Sequence, residues 1–348
     1  MTKGFWGKLK KPIMILAPMA NVTDVAFRSM IAKYGKPDVM YTEFVSVDGL
    51  LSSGSDKIRV DLQFSEAERP IVAQIFGSKP DNFRKAAKLI TDMGFDGIDI
   101  NMGCPDRSVE KQGAGSALIK NPRLAQEIIL AAKEGAPDLP VSVKTRIGYN
   151  KVSIDEWLSV LLEVMPAAII FHARTRKEMS KVPAHWEMMK QVVDTRNKLD
   201  LEKNTLIIGN GDVMDLEEAR KKVDETGVDG VMLGRGIFGN PWLFNGLRST
   251  SPNQLSAASE VGNFSYSRRG KNPTVEERLK VMVEHSKLFE QYFTGIKKFE
   301  TMKKHYKAYV NNFDGAKELR VKLMEEAESS TDVERIIKDY LATSAKSA

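Results

Sequence analysis

Cysteine is almost absent: the 348-residue chain has one, Cys104. A single thiol excludes an intramolecular disulfide and the paired-cysteine spacing of a zinc site, and it points to a reducing compartment. Long apolar runs are also missing. Nothing approaches the length needed to span a bilayer, and the opening MTKGFWGKLKKPIMILAPM has too short an apolar stretch for a secretory signal. A cytoplasmic protein with no membrane partner and no metal is expected. No G-x-G-x-x-G follows the first β-rich segment, which counts against a doubly wound dinucleotide fold, and no internal repeat is visible. What remains is an ordinary globular composition, 42% hydrophobic and 28% charged. Its bias is basic, with formal net charge +6 and a pI of about 9.1, weak ground for a polyanionic partner.

Through residue 247 short β-rich runs alternate with longer helical patterns, the signature of βα units around a parallel sheet. Eight candidate strands can be read: IMILAP, VMYTEF, IVAQIF, GIDIN, VSVKT, AIIFHA, TLIIG and GVMLG. Helix-like segments at 82–93, 121–134, 153–165 and 215–224 lie between them. Eight strands in this length predict an α/β chain folded as a (β/α)8 TIM barrel over residues 1–247. Residues 248–273 lose all periodicity, are rich in Ser, Asn, Gly and Pro, and read as a linker or mobile loop with Arg268 and Arg269 near its end. Residues 274–348 return to helical spacing and read as a small all-helical domain. Its charge is uneven: Lys287 to Lys322 carries nine basic and four acidic residues, and 323–339 two basic and six acidic.

A barrel of this kind does its chemistry where strands end. The ends here carry Ala17-Pro18-Met19, Gln74, Asn101 with Cys104, Lys144 with Arg146, His172 with Arg174 and Arg176, Gly209-Asn210-Gly211-Asp212, and Gly234-Arg235-Gly236. Glycine loops after the last two strands, with Arg235 between glycines, suit a phosphate, although glycine also simply ends strands. Lys144 in a barrel mouth calls for an anionic partner, either a ligand or a salt bridge to Glu43 or Asp99. Gln74 either satisfies backbone or pairs with the donor–acceptor edge of a ring. Flavin mononucleotide meets these needs together: phosphate on the glycine loops, pyrimidine edge on Gln74, and the N1–C2=O region on Lys144.

In these residues the chain resembles the tRNA-dihydrouridine synthases, FMN enzymes that reduce uridine in tRNA. IDINMGCPDRSVEKQGAGS is similar to that family's active-site signature. APMANVTDVAFR, AQIFGS, VKTRIG, HARTR, GNGD and MLGRGIFGNPWLF resemble successive family blocks in order, and KKHYKAY and GAKELR resemble its helical domain more loosely. The resemblance implies FMN contacts at Ala17, Pro18, Met19, Gln74, Lys144, Asn210, Gly211, Asp212, Gly234 and Arg235, with His172 beside them. It implies that Cys104 is the proton donor, that Asn101 lies on the uracil side, and that NADPH or NADH supplies electrons. It also implies tRNA as the partner of a monomer, held by Arg146, Arg174, Arg176 and a helical domain that includes Lys297, Lys298, Lys303 and Lys304. A thiol is mostly protonated at neutral pH yet acidic enough to donate, which suits that role.

The stretch after HARTR departs from the family, with Ser180, Val182 and His185 where Tyr, Gly and Asp are usual. Rival readings stay open at this level. One is a cysteine nucleophile with His172 or His185 as base, another a flavin barrel acting on a small molecule or another RNA, and a third an RNA-binding protein without catalysis.

Overall fold

The computed structural model describes residues 4–201, 204–247 and 273–344. The linker expected at 248–273 lies outside them but for its last residue. The chain divides into two compact units, Met1–Ser29 with Pro37–Gly236, and Met30–Lys36 with Ile237–Ala348.

The first unit is a parallel barrel. Its strands are β1 (Ile13–Leu16), β2 (Met40–Tyr41), β3 (Val45–Ser46), β4 (Ile71–Phe76), β5 (Gly97–Asn101), β6 (Val141–Arg146), β7 (Ala168–His172), β8 (Leu206–Asn210) and β9 (Gly230–Leu233). They pair in the order β1-β9-β8-β7-β6-β5-β4-β2, with β3 also on β4. A parallel bridge from Ile15 to Val39 brings the two ends of this order together, as an eight-stave TIM-type barrel requires. Of the expected second strand, VMYTEF, only Met40–Tyr41 forms a strand, β2, and β3 begins just past its end. The chain leaves the ladder between them, where the buried Glu43 accepts the Val22 N–H at 3.2 Å. β1, β7, β8 and β9 are mainly apolar runs because helices cover their outer faces, whereas β5 and β6 alternate apolar with polar residues. The helices start on sequence-coded caps: Asn121 with Pro122 opens Pro122–Gly135, and Asp215 accepts the Glu218 N–H to open Leu216–Thr226.

Period two along each strand sets the site. A buried cluster that includes Ile13, Ile15, Val39, Tyr41, Val72, Ala168, Ile170, Leu206, Ile208 and Met232 fills the barrel. Counting on by two from that cluster leads to Ala17, Gln74, His172, Asn210 and Gly234. Asp99 with Asn101, and Ser142 with Lys144, stand in register on β5 and β6. The polar side chains thus replace apolar ones at the carboxyl ends of the strands.

The second unit is built on helices Val275–Phe293, Lys303–Tyr309, Ala316–Glu326 and Ser330–Ser344. A Thr274–Glu277 capping box opens the first of these. The unit begins ahead of the expected residue 248, because Trp242 packs edge-on against Tyr34 at 5.5 Å and both Lys33 and Tyr34 bond Glu284 at 2.6 Å. Among the described residues no helix is long and apolar enough to cross a membrane.

Two histidines are buried in this unit, His285 and His305, with ring centroids 4.8 Å apart. Burial, with Lys304 nearby, holds His285 down to about 3, and burial with His285 and Lys304 holds His305 well below the usual range. Both are neutral when folded, and the unfolded chain takes up their protons first. Stability contributed by neutral burial is therefore full above pH 6.5 and is lost as pH falls below it. Between pH 7 and pH 5 one such histidine costs about 2 kcal/mol. The helical unit should melt earlier at pH 5 than at pH 7, and His285→Phe should reduce that slope. Thermal scans across pH on wild type and variant check both; parallel slopes would rule the histidines out as the cause.

Candidate active site

The pocket at the carboxyl ends of the strands has a volume of about 220 Å3. Every residue expected to hold the cofactor lines it except Gln74, and Arg174, Ser180, Val213, Met214 and Met232 complete it. Gly211 has a φ of +133° and an added Cβ would meet the Ala184 Cβ at 2.8 Å, so the fold itself requires glycine there. Gly234 differs. A Cβ would find only the Ala17 Cβ at 3.7 Å and the Met19 Sδ at 3.8 Å, ordinary contacts with two pocket-lining residues. Among the described residues no neighbour demands a bare backbone at 234, so its bareness leaves room in the pocket.

The charged part of the lining is Lys144, Arg174 and Arg235 against the one carboxylate of Asp212. Lys144 Nζ donates to Asn210 Oδ1 at 3.2 Å, and Asn210 is fixed in turn by its Nδ2 on the Met232 carbonyl at 2.8 Å. Burial and the neighbouring Arg146 bring Lys144 down to about 8, against the opposing pull of Asp99 and Cys104. Arg174 Nη1 approaches His172 Nε2 at 3.1 Å. A guanidinium only donates, so Nε2 accepts and the neutral ring carries its proton on Nδ1. Burial and the cations Lys144, Arg146, Arg174 and Arg235 keep His172 neutral, well below its usual range. Asp212, a non-glycine residue at φ +54°, bonds Arg174 and Arg235 and accepts the Ala184 N–H at 2.9 Å. Burial works against its charge, but these donors hold its carboxyl below the ordinary range. Trp186 seals the loop from below, its Nε1 on the Gly211 carbonyl at 2.6 Å.

Cys104 sits on a turn built against the end of β6. Met102 N–H reaches the Lys144 carbonyl at 2.8 Å, and Arg146 Nε donates to the Gly103 carbonyl at 2.7 Å. Asn101 Oδ1 accepts both the Gly103 and Cys104 N–H groups, at 3.1 and 2.9 Å. From the far side Ser116 holds the Cys104 carbonyl through its N–H at 3.0 Å and its hydroxyl at 2.8 Å. Gly115, at φ +60°, lets these segments meet; an added Cβ would lie 2.8 Å from the Cys104 carbonyl oxygen. Burial pushes the thiol up, and the Asp106 carboxylate adds to this against the Asp106 N–H, Arg146 and Lys144, so the thiol is protonated at neutral pH.

The remaining expected residues fall elsewhere. Gln74 is fully buried, its Nε2 on Asp99 and its Oε1 on Asn101, so neither end of its amide is without a protein partner. Arg146 and Arg174, expected on RNA, are 5% and 3% exposed. The first spends its donors on the Gly103, Thr175 and Met179 carbonyls, the second on Val182, His172 and Asp212. Both brace the loops around the pocket. Arg176 pairs with Glu110, which also contacts Ser116, and so closes the cysteine loop. In the second unit Lys303 donates to the Met324 carbonyl at 2.7 Å and Lys297 lies over the Phe293 ring, whereas Lys298 and Lys304 are exposed. The sequence marks Asp99 only as a partner for Lys144; the signal it offers is a carboxylate between two isoleucines of a buried strand. Ser180 stands out in the sequence only as a departure from the family, and Met214 carries no signal.

Residues 15–345 match the family described as dihydrouridine synthase (Dus). A probable tRNA-dihydrouridine synthase of Staphylococcus aureus (strain MRSA252) is 41% identical over 329 residues, covering 93% of this chain and 92% of the relative. A probable tRNA-dihydrouridine synthase 2 of Bacillus subtilis (strain 168) is 39% identical over 343 residues, 98% of this chain and 97% of the relative. Among solved structures, histamine dehydrogenase from Rhizobium sp. 4-9 aligns with TM-score 0.52 at 14% identity, over 67% of this chain and 45% of that one. A 2-naphthoyl-CoA reductase complex aligns with TM-score 0.52 at 13% identity, over 67% and 49%. These two likenesses speak to the barrel alone. With nearly the whole chain matched, the protein belongs to the dihydrouridine synthase family and is an oxidoreductase.

Proposed function

We propose that the protein reduces uridine to 5,6-dihydrouridine in tRNA, with FMN as its cofactor and NADPH or NADH as electron donor. The observation that carries this reading is a lone, protonated cysteine on a braced turn within electrostatic reach of Lys144, beside a cation-lined pocket. Arg235 and the bare backbones at Gly211 and Gly234 would hold the cofactor's phosphate, Ala17, Pro18, Met19 and His172 would hold its ring, and Lys144 would supply positive charge to it. When bound, the reduced flavin supplies the hydride that goes to C6 of the uracil. Cys104 Sγ–H gives the proton to C5, and the thiolate is reprotonated from solvent. Lys144 supplies positive charge where negative charge develops. Asn101 shapes the cysteine turn.

Cofactor released by heat should be FMN, and unmodified tRNA incubated with the protein and NADPH should gain dihydrouridine. A colourless protein that cannot be reconstituted with FMN overturns the reading; turnover of a small enone but not tRNA supports its rival. The exposed Lys298, Lys304 and Lys307 then offer phosphate contacts from the helical unit. Neutralising all three should reduce the salt slope of tRNA binding by about 3. Filter binding across salt checks this, and an unchanged slope would make these lysines only a solvated face.

A further inference from the structure

Beneath the cysteine turn lies a line of buried polar side chains that the proposed chemistry does not use directly. Ser142 Oγ donates to Asp99 Oδ1 at 2.6 Å, and Gln74 Nε2 donates to Asp99 Oδ2 at 2.7 Å. Asn101 Nδ2 donates to Gln74 Oε1 at 3.0 Å, and Asn101 Oδ1 accepts the Gly103 and Cys104 N–H groups. Ser142, Asp99 and Gln74 are fully buried and Asn101 is 7% exposed, so these groups have little recourse to water.

We propose that Asp99 is a positioning residue of this site, its carboxylate setting the direction of the Gln74 and Asn101 amides and thereby the turn that presents Cys104. The reasoning is one of donors and acceptors. An ionised carboxylate only accepts, so Gln74 must turn its NH2 toward Asp99 and its oxygen toward Asn101. The Asn101 amide then has a place for its NH2, and its oxygen is left for two backbone donors. Reversing Gln74 would set its oxygen against the Asp99 carboxylate and its NH2 against that of Asn101, and a buried mismatch of this kind is expensive. Burial raises Asp99 to about 6, against the hydrogen bonds from Ser142 and Gln74 and the charge of Lys144. It is therefore ionised at neutral pH, and the direction of the line is set. The same carboxylate opposes the charge of Lys144.

The purpose assigned to the turn rests on the functional reading above, but its geometry can be tested without turnover. Because Cys104 is the only cysteine, its alkylation by iodoacetamide reports on this turn alone. The full-length protein as purified is compared with Asp99→Ala, Gln74→Leu and Asp99→Asn at fixed pH, with hydrogen exchange of the peptide around 100–106. Asp99→Ala removes the acceptor and Gln74→Leu cuts the line one step further on. Each should speed alkylation by about tenfold, the worth of loosening two backbone hydrogen bonds, with faster exchange confined to Gly103 and Cys104. Asp99→Asn can still accept from Gln74 while Ser142 reverses its hydroxyl, so it should stay within about threefold of wild type. Alkylation within twofold of wild type in Gln74→Leu overturns the proposal, and that variant decides should Asp99→Ala fail to fold. Asp99→Asn as reactive as Asp99→Ala, or exchange rising evenly across the barrel, also overturns it. Full dihydrouridine yield from Cys104→Ala would instead overturn the functional reading and leave this one standing.

Discussion

Cys104→Ala is expected to lower dihydrouridine formation by about 10²–10⁴-fold, the range for a missing general acid, and to leave melting temperature and flavin content near wild type. The two halves of this expectation have separate causes. The turn is held by backbone and neighbouring side chains: Asn101 takes the Gly103 and Cys104 N–H groups, Ser116 takes the Cys104 carbonyl, and Arg146 takes that of Gly103. None of these contacts involves the thiol, so its removal should leave the turn in place. The proton is another matter. Burial keeps the thiol protonated at neutral pH, while Arg146 and Lys144 favour the thiolate it becomes on donation. Cys104→Ser should be similarly impaired, since a hydroxyl is a far weaker acid. A cysteine that merely filled space would show the reverse pattern, with lost stability and normal turnover per folded molecule. Melting temperature, flavin content and dihydrouridine yield on the same samples separate the two, and near-normal yield from Cys104→Ala would end the proton-donor assignment.

The barrel was legible because its physics is repetitive. Strands buried on both faces are mostly apolar, so IIF of β7 and LII of β8 stand out against their charged flanks. VMYTEF was harder, since a broken stave keeps the composition of a whole one and only Glu43, turning away to Val22, reveals the break. The membership of residues 30–36 in the helical unit was not legible at all. It depends on Tyr34 meeting Trp242 and Glu284, contacts between segments more than 200 residues apart.

For the site, the sequence located the cations but not their work. A strand-end arginine near a phosphate loop has the same sequence context whether it binds a ligand or braces the protein. What decides is the set of carbonyls around it, and for Arg146 these come from Gly103 on one turn and from Thr175 and Met179 on another, two turns that converge only after folding. Gln74 follows the same logic, because its partners Asp99 and Asn101 belong to the neighbouring strand. Lys144 differs from both arginines. Among the described residues its one direct side-chain hydrogen-bond partner is the neutral Asn210, so its charge is left for the pocket.

That difference makes Lys144→Met the second large expected effect, and it has opposite signs for stability and for function. Burial and Arg146 hold the ammonium down to about 8, below its ordinary 10.5. The unfolded chain therefore binds this proton more tightly than the folded one. Between pH 8 and 10.5 the native state gains stability as pH rises, and below pH 8 the buried charge is a constant cost. Methionine removes that cost, so the cofactor-free variant should melt at or above the wild-type temperature at pH 7 and lack the gain in stability above pH 8. Function should move the other way. The cation is what the pocket offers to developing negative charge, and losing one such preorganised group typically costs about 10²–10³ in rate. FMN affinity of the cofactor-free wild type should also weaken as pH rises through about 8, because the ammonium is then lost, while that of Lys144→Met should be weaker at pH 7 and flat across the same range. Fluorescence titration with FMN between pH 6.5 and 9.5 measures this directly. A wild-type affinity with no pH dependence there, or a variant that binds FMN and turns over normally, would place the charge of Lys144 outside the chemistry and leave it as a counter-charge to the buried Asp99.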